Sequence, residues 1–586
     1  MSRAIVKRLN AAIVLALLSV VTPAIAQKSD AGATFIVRAA STEQAGLEVE
    51  HAGGEVLGKL AVIKAVEARL TPAQVGVLRN EKHVFVFADQ PVVIQGKKKK
   101  DKNAKDDKKA NDAGQSEPDA KEIEHFKRKG KAKKKLKKDE KARLTEFTDY
   151  LHPVLIDAPT VHALDVTGSN VTVAVIDTGL WWEADTDYGK APIVRVDFVG
   201  GKAKDDDPNG HGTHVTNIIA GDLVASNAVA EGIAPSAEIA DLRAFNAAGG
   251  ATYADVIRAI EFAIVNKDNF NIGVLNMSFS APPQSYYWED PLNQAVMAAW
   301  KAGIVVVASA GNDGPDPMTI GVPGNVPYII TVGAMTDAYT DVNGTDDRLA
   351  SFSSVGPTYE GFIKPEVVAP GGHIVSSMPF DGWISVNHPE SMIGTERHFE
   401  MSGTSQAAAI VSGIVALMLE ADPTLTPDDV KCRLLDSARP AIDTDGALAY
   451  SVFQQGAGLV NALAAVNSSA TGCANQGLDI DMDLSGDRHF AGPARVDDQG
   501  NYYIADEQGD AIDSDGYAWS RSYVWGRGYA FSDSYVWGRG YAWSRAYTWS
   551  RSYVWGRSMP WENSQLESAG VDTSSTATVN RWVEHE

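Results

Sequence analysis

Between Thr145 and Ala470 five short apolar, β-branched runs alternate with segments of helical spacing. Val171–Ile176, Ile239–Phe245, Ile272–Met277, Ile304–Ala308 and Tyr328–Val332 are apolar at almost every position, as strands buried on both faces must be. Tyr253–Val265, Leu292–Lys301 and Ser405–Glu420 carry the three-to-four-residue apolar spacing of helices. Such alternation predicts an α/β fold, a parallel sheet sandwiched by helices. In sheets of this kind ligands sit beyond the carboxyl ends of the strands, so the chemistry belongs there.

Three polar motifs fall at those ends. Val175-Ile-Asp-Thr-Gly179 puts Asp177 at the close of a buried strand, where a carboxylate can orient an imidazole through its ring N–H. Acids after strands are also common in plain turns. Asn209-Gly-His-Gly-Thr-His-Val215 flanks His211 with glycines at the start of a helix running through Thr216 to Ala220. His211 and His214 also admit a metal reading, although they lack the i,i+4 spacing and the glutamate of a zinc-protease helix. Met401-Ser-Gly-Thr-Ser-Gln-Ala-Ala-Ala409 places Ser405 at the N-terminus of an apolar helix, where backbone N–H groups suit a developing negative charge. Alone, Ser405 would read equally well as a helix cap.

Taken together, in the order Asp, His, Ser, the blocks DTG, HGTHV and GTSQAAA resemble those of the subtilase family, over roughly residues 145 to 470. Ala308-Ser-Ala-Gly-Asn-Asp-Gly314 resembles the segment that supplies the family's oxyanion-hole amide, and Lys364-Pro-Glu-Val-Val-Ala-Pro-Gly371 a further, structural block. The resemblance implies a serine endopeptidase with Asp177, His211 and Ser405 as its triad. Asn312 would be the oxyanion donor beside the Ser405 backbone N–H. It further implies that Ser278, in Asn276-Met-Ser-Phe-Ser280, lies on the strand that pairs with the substrate. Gly249, in Ala247–Ala251, would belong to the opposite wall of the groove, and Ala310, Gly311 and Gly321 would line the primary pocket. Glycine walls lead to an expectation of broad specificity favouring large apolar side chains, with Asp313 at the rim suited to Lys or Arg. No cofactor is required for this chemistry. The family often binds calcium, but the loop Asp222–Glu231 departs from the asparagine-rich pattern of its strong site. Asp205 to Asp207 read as cation ligands or as solvated acids, and no metal ligand is assigned.

The flanks suggest an exported precursor. Arg3, Lys7 and Arg8, the apolar run Ala11–Val21 and the small residues Ala24-Ile25-Ala26 read as a signal peptide over residues 1–26, implying a secreted, extracellular protein. Residues 27–96 read as a small α+β unit, with strands at Ala33–Arg38 and Val84–Ala88 and a helix at Pro72–Leu78 opened by Thr71. By resemblance this unit is an inhibitory propeptide, the chain's own intramolecular partner. Residues 97–144 are Lys-rich and nearly devoid of apolar residues, which predicts a disordered, cleavable linker, with self-processing expected after Gln95. The net charge of −22 is unevenly spread: residues 1–143 carry 30 Lys/Arg against 18 Asp/Glu, leaving the rest at −34. An acidic mature protein argues against nucleic acid as a partner. Cys432 and Cys473 suit one disulfide in an exported protein, but spacing alone does not show that they meet.

Beyond an acidic spacer at 471–516, residues 517–558 form seven approximate hexads, Tyr-x-Trp-(Gly/Ser)-Arg-small, followed by a tail at 559–586. Extended chain would place the aromatic and Arg residues on one face and small residues on the other. One strand of that length would reach about 140 Å, so short hairpins or solenoid coils fit better. A module contacting the cell surface or carbohydrate and a low-complexity tail are both open readings. Two further functions compete with the peptidase: a catalytically silent, subtilase-shaped binding protein, against which the intact Asp/His/Ser/Asn set argues, and a structural surface protein built on the hexads.

Overall fold

The computed structural model describes residues 32–94, 150–182, 191–199, 207–225, 228–337, 347–393, 397–441, 448–498 and 500–505, and the backbone of 559–560. The expected signal peptide, the Lys-rich linker and the hexads lie outside the described residues.

The chain divides into two compact units, residues 1–88 and 89–586. In the first, β1 (Ala33–Arg38), α1 (Thr42–His51), β2 (Glu55–Leu60), β3 (Ala65–Leu70), α2 (Pro72–Leu78) and β4 (Phe85–Ala88) build a four-stranded antiparallel sheet in the order β2-β3-β1-β4. Val37, Val49, Val66, Leu70 and Leu78 pack into its core. The helix at Pro72 begins where Thr71 was expected to open it, in a capping box with Gln74.

In the second unit, β5 (Pro91–Val93) is followed by the parallel sheet that the apolar runs predict. Its strands are β6 (Thr172–Asp177), β7 (Val194–Asp197), β8 (Glu238–Arg243), β10 (Ile272–Met277), β11 (Val305–Ser309), β12 (Ile330–Thr336) and β14 (Val367–Pro370). Their order is β12-β11-β10-β6-β8-β7, with β14 also parallel to β12 and the short β13 (Arg348–Leu349) antiparallel to it. The edge strand β9 (Gly250–Thr252) stands apart and pairs with β5.

Helices cover this sheet in two layers. The first joins α3 (His211–Ala220) to α6 (Thr404–Ala421), which packs on β10, β11, β12 and β14. The second joins α4 (Tyr253–Val265) to α5 (Pro291–Lys301). α6 is buried from Thr404 to Met418, which explains a sequence apolar on all sides.

The folded body continues past Ala470. Cys432 and Cys473 are joined in a disulfide with their Cα atoms 5.2 Å apart. Further on, the buried carboxylate of Asp483 accepts hydrogen bonds from Tyr287 Oη (2.8 Å) and Tyr328 Oη (2.6 Å) and pairs with His489 Nδ1 at 2.9 Å. His489 stacks on Trp288, which stacks on Tyr286. Gly492 N and Ala494 N donate to Glu360 O and Gly361 O. Much of the expected acidic spacer is therefore a folded strap on the body that carries the parallel sheet.

Candidate active site

Asp177 ends β6 and His211 begins α3, and the two meet with His211 Nδ1 2.7 Å from Asp177 Oδ1. Both are buried, with Asp177 1% and His211 0% exposed. Their approach needs a close crossing of backbones: a Cβ on Gly212 would fall 2.1 Å from Gly179 O, so only glycine fits between the two loops. With Nδ1 held by the carboxylate, His211 Nε2 is left buried and without a partner among the described residues. An imidazole so oriented presents Nε2 as a base.

Ser405 lies in the first turn of α6, fully buried. Its Oγ donates to Ser278 O at 3.1 Å, and Ser278 Oγ donates to Ser405 O at 2.9 Å. Asn276 Nδ2 supports Ser278 Oγ at 3.0 Å and Ser412 Oγ holds Asn276 Oδ1 at 2.9 Å, so the strand and the helix are locked by side chains at the serine. A serine–base hydrogen bond often tightens only with substrate in place.

Asn312 is anchored by its oxygen. Thr404 N and Thr404 Oγ1 both donate to Asn312 Oδ1 at 3.0 Å, which fixes the amide and leaves Nδ2 buried with no partner among the described residues. A buried donor without an acceptor costs about 1–3 kcal/mol, so an amide held in this way is poised to donate.

The residues expected to bind substrate fall into two groups. Ser278, Ala310, Gly311 and Gly321 come together: Gly321 N donates to Ala310 O (3.2 Å), and Ala281 and Val322 exchange hydrogen bonds of 2.9 and 2.7 Å. Gly249 lies in the turn before β9, at φ +77°, and its carbonyl accepts from Ile94 N at 2.7 Å. The same edge receives β5, with Val92 opposite Ala251 and Val93 opposite Gly250. Val92 and Ile94 are 1% and 2% exposed, the two same-face residues of an extended strand.

Asp207 has a different part from the one expected. Its Oδ1 accepts from Asn209 N (3.1 Å) and Gly210 N (2.9 Å), and its Oδ2 from Thr213 N and Thr213 Oγ1 (both 2.9 Å). The residue capping α3, Gly210, has no side chain to do this. Asp207 is therefore neither solvated nor open to a cation; it ties down the loop that carries His211. Burial pushes its carboxyl above the ordinary range against the pull of these donors, and Asp177 pushes the same way. The signal for this role was present as an acid two to three residues before Asn-Gly. Asp205 and Asp206 lie outside the described residues.

His214 is occupied too, with Nε2 3.1 Å from Phe399 O and Nδ1 3.5 Å from Gln406 Nε2. Burial pulls its pKa down to about 3, helped by His211 and His152, so it is neutral. Glu231, at the end of the Asp222–Glu231 loop, is buried and accepts from Ser376 Oγ, Ser377 N and Ser377 Oγ. Among the described residues no group of three or more His, Cys, Asp or Glu suits a metal ion.

A buried acid–histidine pair, a serine at a helix N-terminus and an oriented amide donor on a parallel α/β sheet are the parts that a serine hydrolase needs. Residues 168–458 match the subtilase family model. Over 302 residues the chain is 41% identical to serine protease AprX of Bacillus subtilis (strain 168), covering 51% of this chain and 66%, just under two thirds, of that protein. It is 34% identical to subtilisin DY of Bacillus licheniformis over 313 residues, 53% of this chain and 96% of the relative. Subtilisin E of Bacillus subtilis (strain 168) is 33% identical over 352 residues, 57% and 78% of the two chains. The chain belongs to the subtilase family of serine endopeptidases.

Proposed function

We propose that the protein cuts internal peptide bonds of protein substrates through an acyl-enzyme formed on Ser405. His211 Nε2 takes the Ser405 Oγ proton as Oγ bonds to the substrate carbonyl carbon, then passes it to the departing amine. Asp177 holds the imidazole and stabilises its charged form. Asn312 Nδ2 and the Ser405 backbone N–H receive the oxyanion. Water then releases the acyl group by the same route in reverse. The observation that carries this reading is the buried Asp177–His211 pair at 2.7 Å, with Nε2 left unpartnered among the described residues. A fluorophosphonate should label Ser405 in the full chain, and His211→Ala should abolish labelling; equal labelling of the variant would sink the assignment.

The enzyme is made as an exported zymogen, with residues 27–96 as its inhibitor. The pairing of β5 with β9 supports this: an extended segment that lies along an exposed strand edge binds as a peptide substrate would, with backbone bonds for affinity and alternate side chains in pockets. Self-cleavage follows in the chain after Gln95. Purified Ser405→Ala should remain full length under conditions in which the unmodified chain shortens, and prompt cleavage of that variant would refute self-processing.

A further inference from the structure

The two glycines that suggest a roomy primary pocket do not leave it empty. A Cβ on Gly321 would lie 1.9 Å from Ser280 Oγ and 2.8 Å from Ala281 O. One on Gly311 would lie 3.0 Å from the same hydroxyl and 2.9 Å from Ser354 Oγ. Ser280 Oγ therefore stands between the two glycines and fills space that their missing side chains free. The walls are also tied, by the Ala281–Val322 pair, by Gly321 N to Ala310 O and by Ser354 N to Gly311 O at 3.0 Å. A larger side chain would have to break these bonds to widen the gap.

The hydroxyl itself is unusual. Ser280 is fully buried, and its Oγ has no partner among the described residues. Its neighbours are all engaged: Ser278 Oγ donates to Ser405 O, Ser309 Oγ donates to Phe279 O, and Ser354 Oγ accepts from Asp313 N. Buried hydroxyls without a partner are uncommon, and each calls for a reason. Here the missing partner has an obvious source, because this is where the side chain preceding the cleaved bond must enter.

We propose that Ser280 sets the specificity of the primary pocket. It admits short side chains, prefers those of serine type that can hydrogen-bond to its Oγ, and excludes aromatic ones. The inference rests on the peptidase reading and replaces the expectation of large apolar side chains.

The test uses the full, self-processed chain and peptide anilides that differ only in the residue before the cleaved bond: Ser, Ala, Leu or Phe. Rates are expressed per fluorophosphonate-titrated Ser405. Unmodified enzyme should cleave the Ala peptide about tenfold or more faster than the Phe peptide in kcat/KM, the size of effect that apolar pocket fit commands. Ser should exceed Ala by about 2- to 10-fold, the worth of one neutral hydrogen bond. Ser280→Gly should raise Phe relative to Ala by about tenfold or more. Ser280→Ala, which keeps the Cβ but removes the Oγ, should lose the preference for Ser over Ala and raise Phe relative to Ala less than Ser280→Gly does. A titratable enzyme that cleaves Phe as readily as Ala, or whose Phe-to-Ala ratio is unmoved by Ser280→Gly, overturns the pocket assignment alone. Absence of any titratable Ser405 overturns the peptidase reading and the pocket with it.

Discussion

The loop that carries His211 and the pocket that surrounds Gly311 bring polar atoms into the same buried centre and treat them oppositely. In the loop, one carboxylate, Asp207, absorbs four donors, Gly212 N donates to Thr178 Oγ1, and Trp181 N donates to Thr213 Oγ1. In the pocket, Asn312 Nδ2 and Ser280 Oγ are buried with nothing to bond among the described residues. Beside the loop, the buried side-chain atoms without a partner among the described residues are those of the proposed acid–base pair, His211 Nε2 and Asp177 Oδ2. Satisfied polar groups hold geometry, and the unsatisfied ones are those that the proposed function has substrate complete. Removing a member of each class should therefore fail differently, one through stability and positioning, the other through turnover.

The largest effect is expected where both classes meet. Ser405→Ala or His211→Ala should lower kcat by about 10⁶-fold, with KM for a peptide substrate little changed, and the double variant should be hardly worse than either. Single-turnover and steady-state kinetics check this. Additive losses would show that the two residues do not act as a unit. Asn312→Ala should cost less, about 100- to 1000-fold in kcat, again with KM nearly constant, because its donor is used only when charge develops. A rise in KM instead would place Asn312 in ground-state binding.

Asp207→Asn sharpens the comparison from the other side. The amide keeps one acceptor oxygen but turns a donor toward Thr213 N and Oγ1, leaving buried groups opposed. Loss of about 2–4 kcal/mol in unfolding free energy is expected, read by denaturant titration. Turnover should fall with it, because the loop delivers His211. Unchanged stability would mean that the loop is held elsewhere.

How much of this was legible depended on how far apart the partners lie. Largely apolar runs announced the central strands, although the ends differ: the run at Ile239–Phe245 became Glu238–Arg243, and that at Tyr328–Val332 became Ile330–Thr336. Backbone hydrogen bonding, not side-chain character, sets those ends. In the first unit, β2 and β3 went unread because their residues alternate between charge and carbon, as in a sheet with one wet face. Asp177, His211, Asn312 and Ser405 stand out as candidates in the sequence because each sits in a local motif with glycines. Ser280 does not, since what makes it matter is contact with Gly311 and Gly321, which only the fold provides. The strap was hidden for the same reason: Asp483 is 196 residues from Tyr287 and 155 from Tyr328.

The smallest expected effect concerns a group that is satisfied and neutral. His214 lies one turn beyond His211 on α3, and burial lowers its pKa to about 3 from an ordinary 6.5. Burial lowers His152, which is bonded to Glu231 O, to about 4. For a histidine whose folded pKa is depressed, the unfolded chain binds the proton first. Stability is unaffected above pH 6.5, falls as pH drops through the window from 6.5 to the folded pKa, and levels off below it. At pH 5 His214 alone would cost about 2 kcal/mol relative to pH 7. His214→Gln should lower stability at pH 7, through lost packing and an altered bond to Phe399 O, yet flatten the acid slope between pH 6 and 4 by close to one proton. Urea titrations across that range measure both quantities together. An unchanged slope would mean that His214 is already protonated in the folded protein, and then the helix that carries His211 would not be the neutral, satisfied frame on which the contrast with the pocket depends.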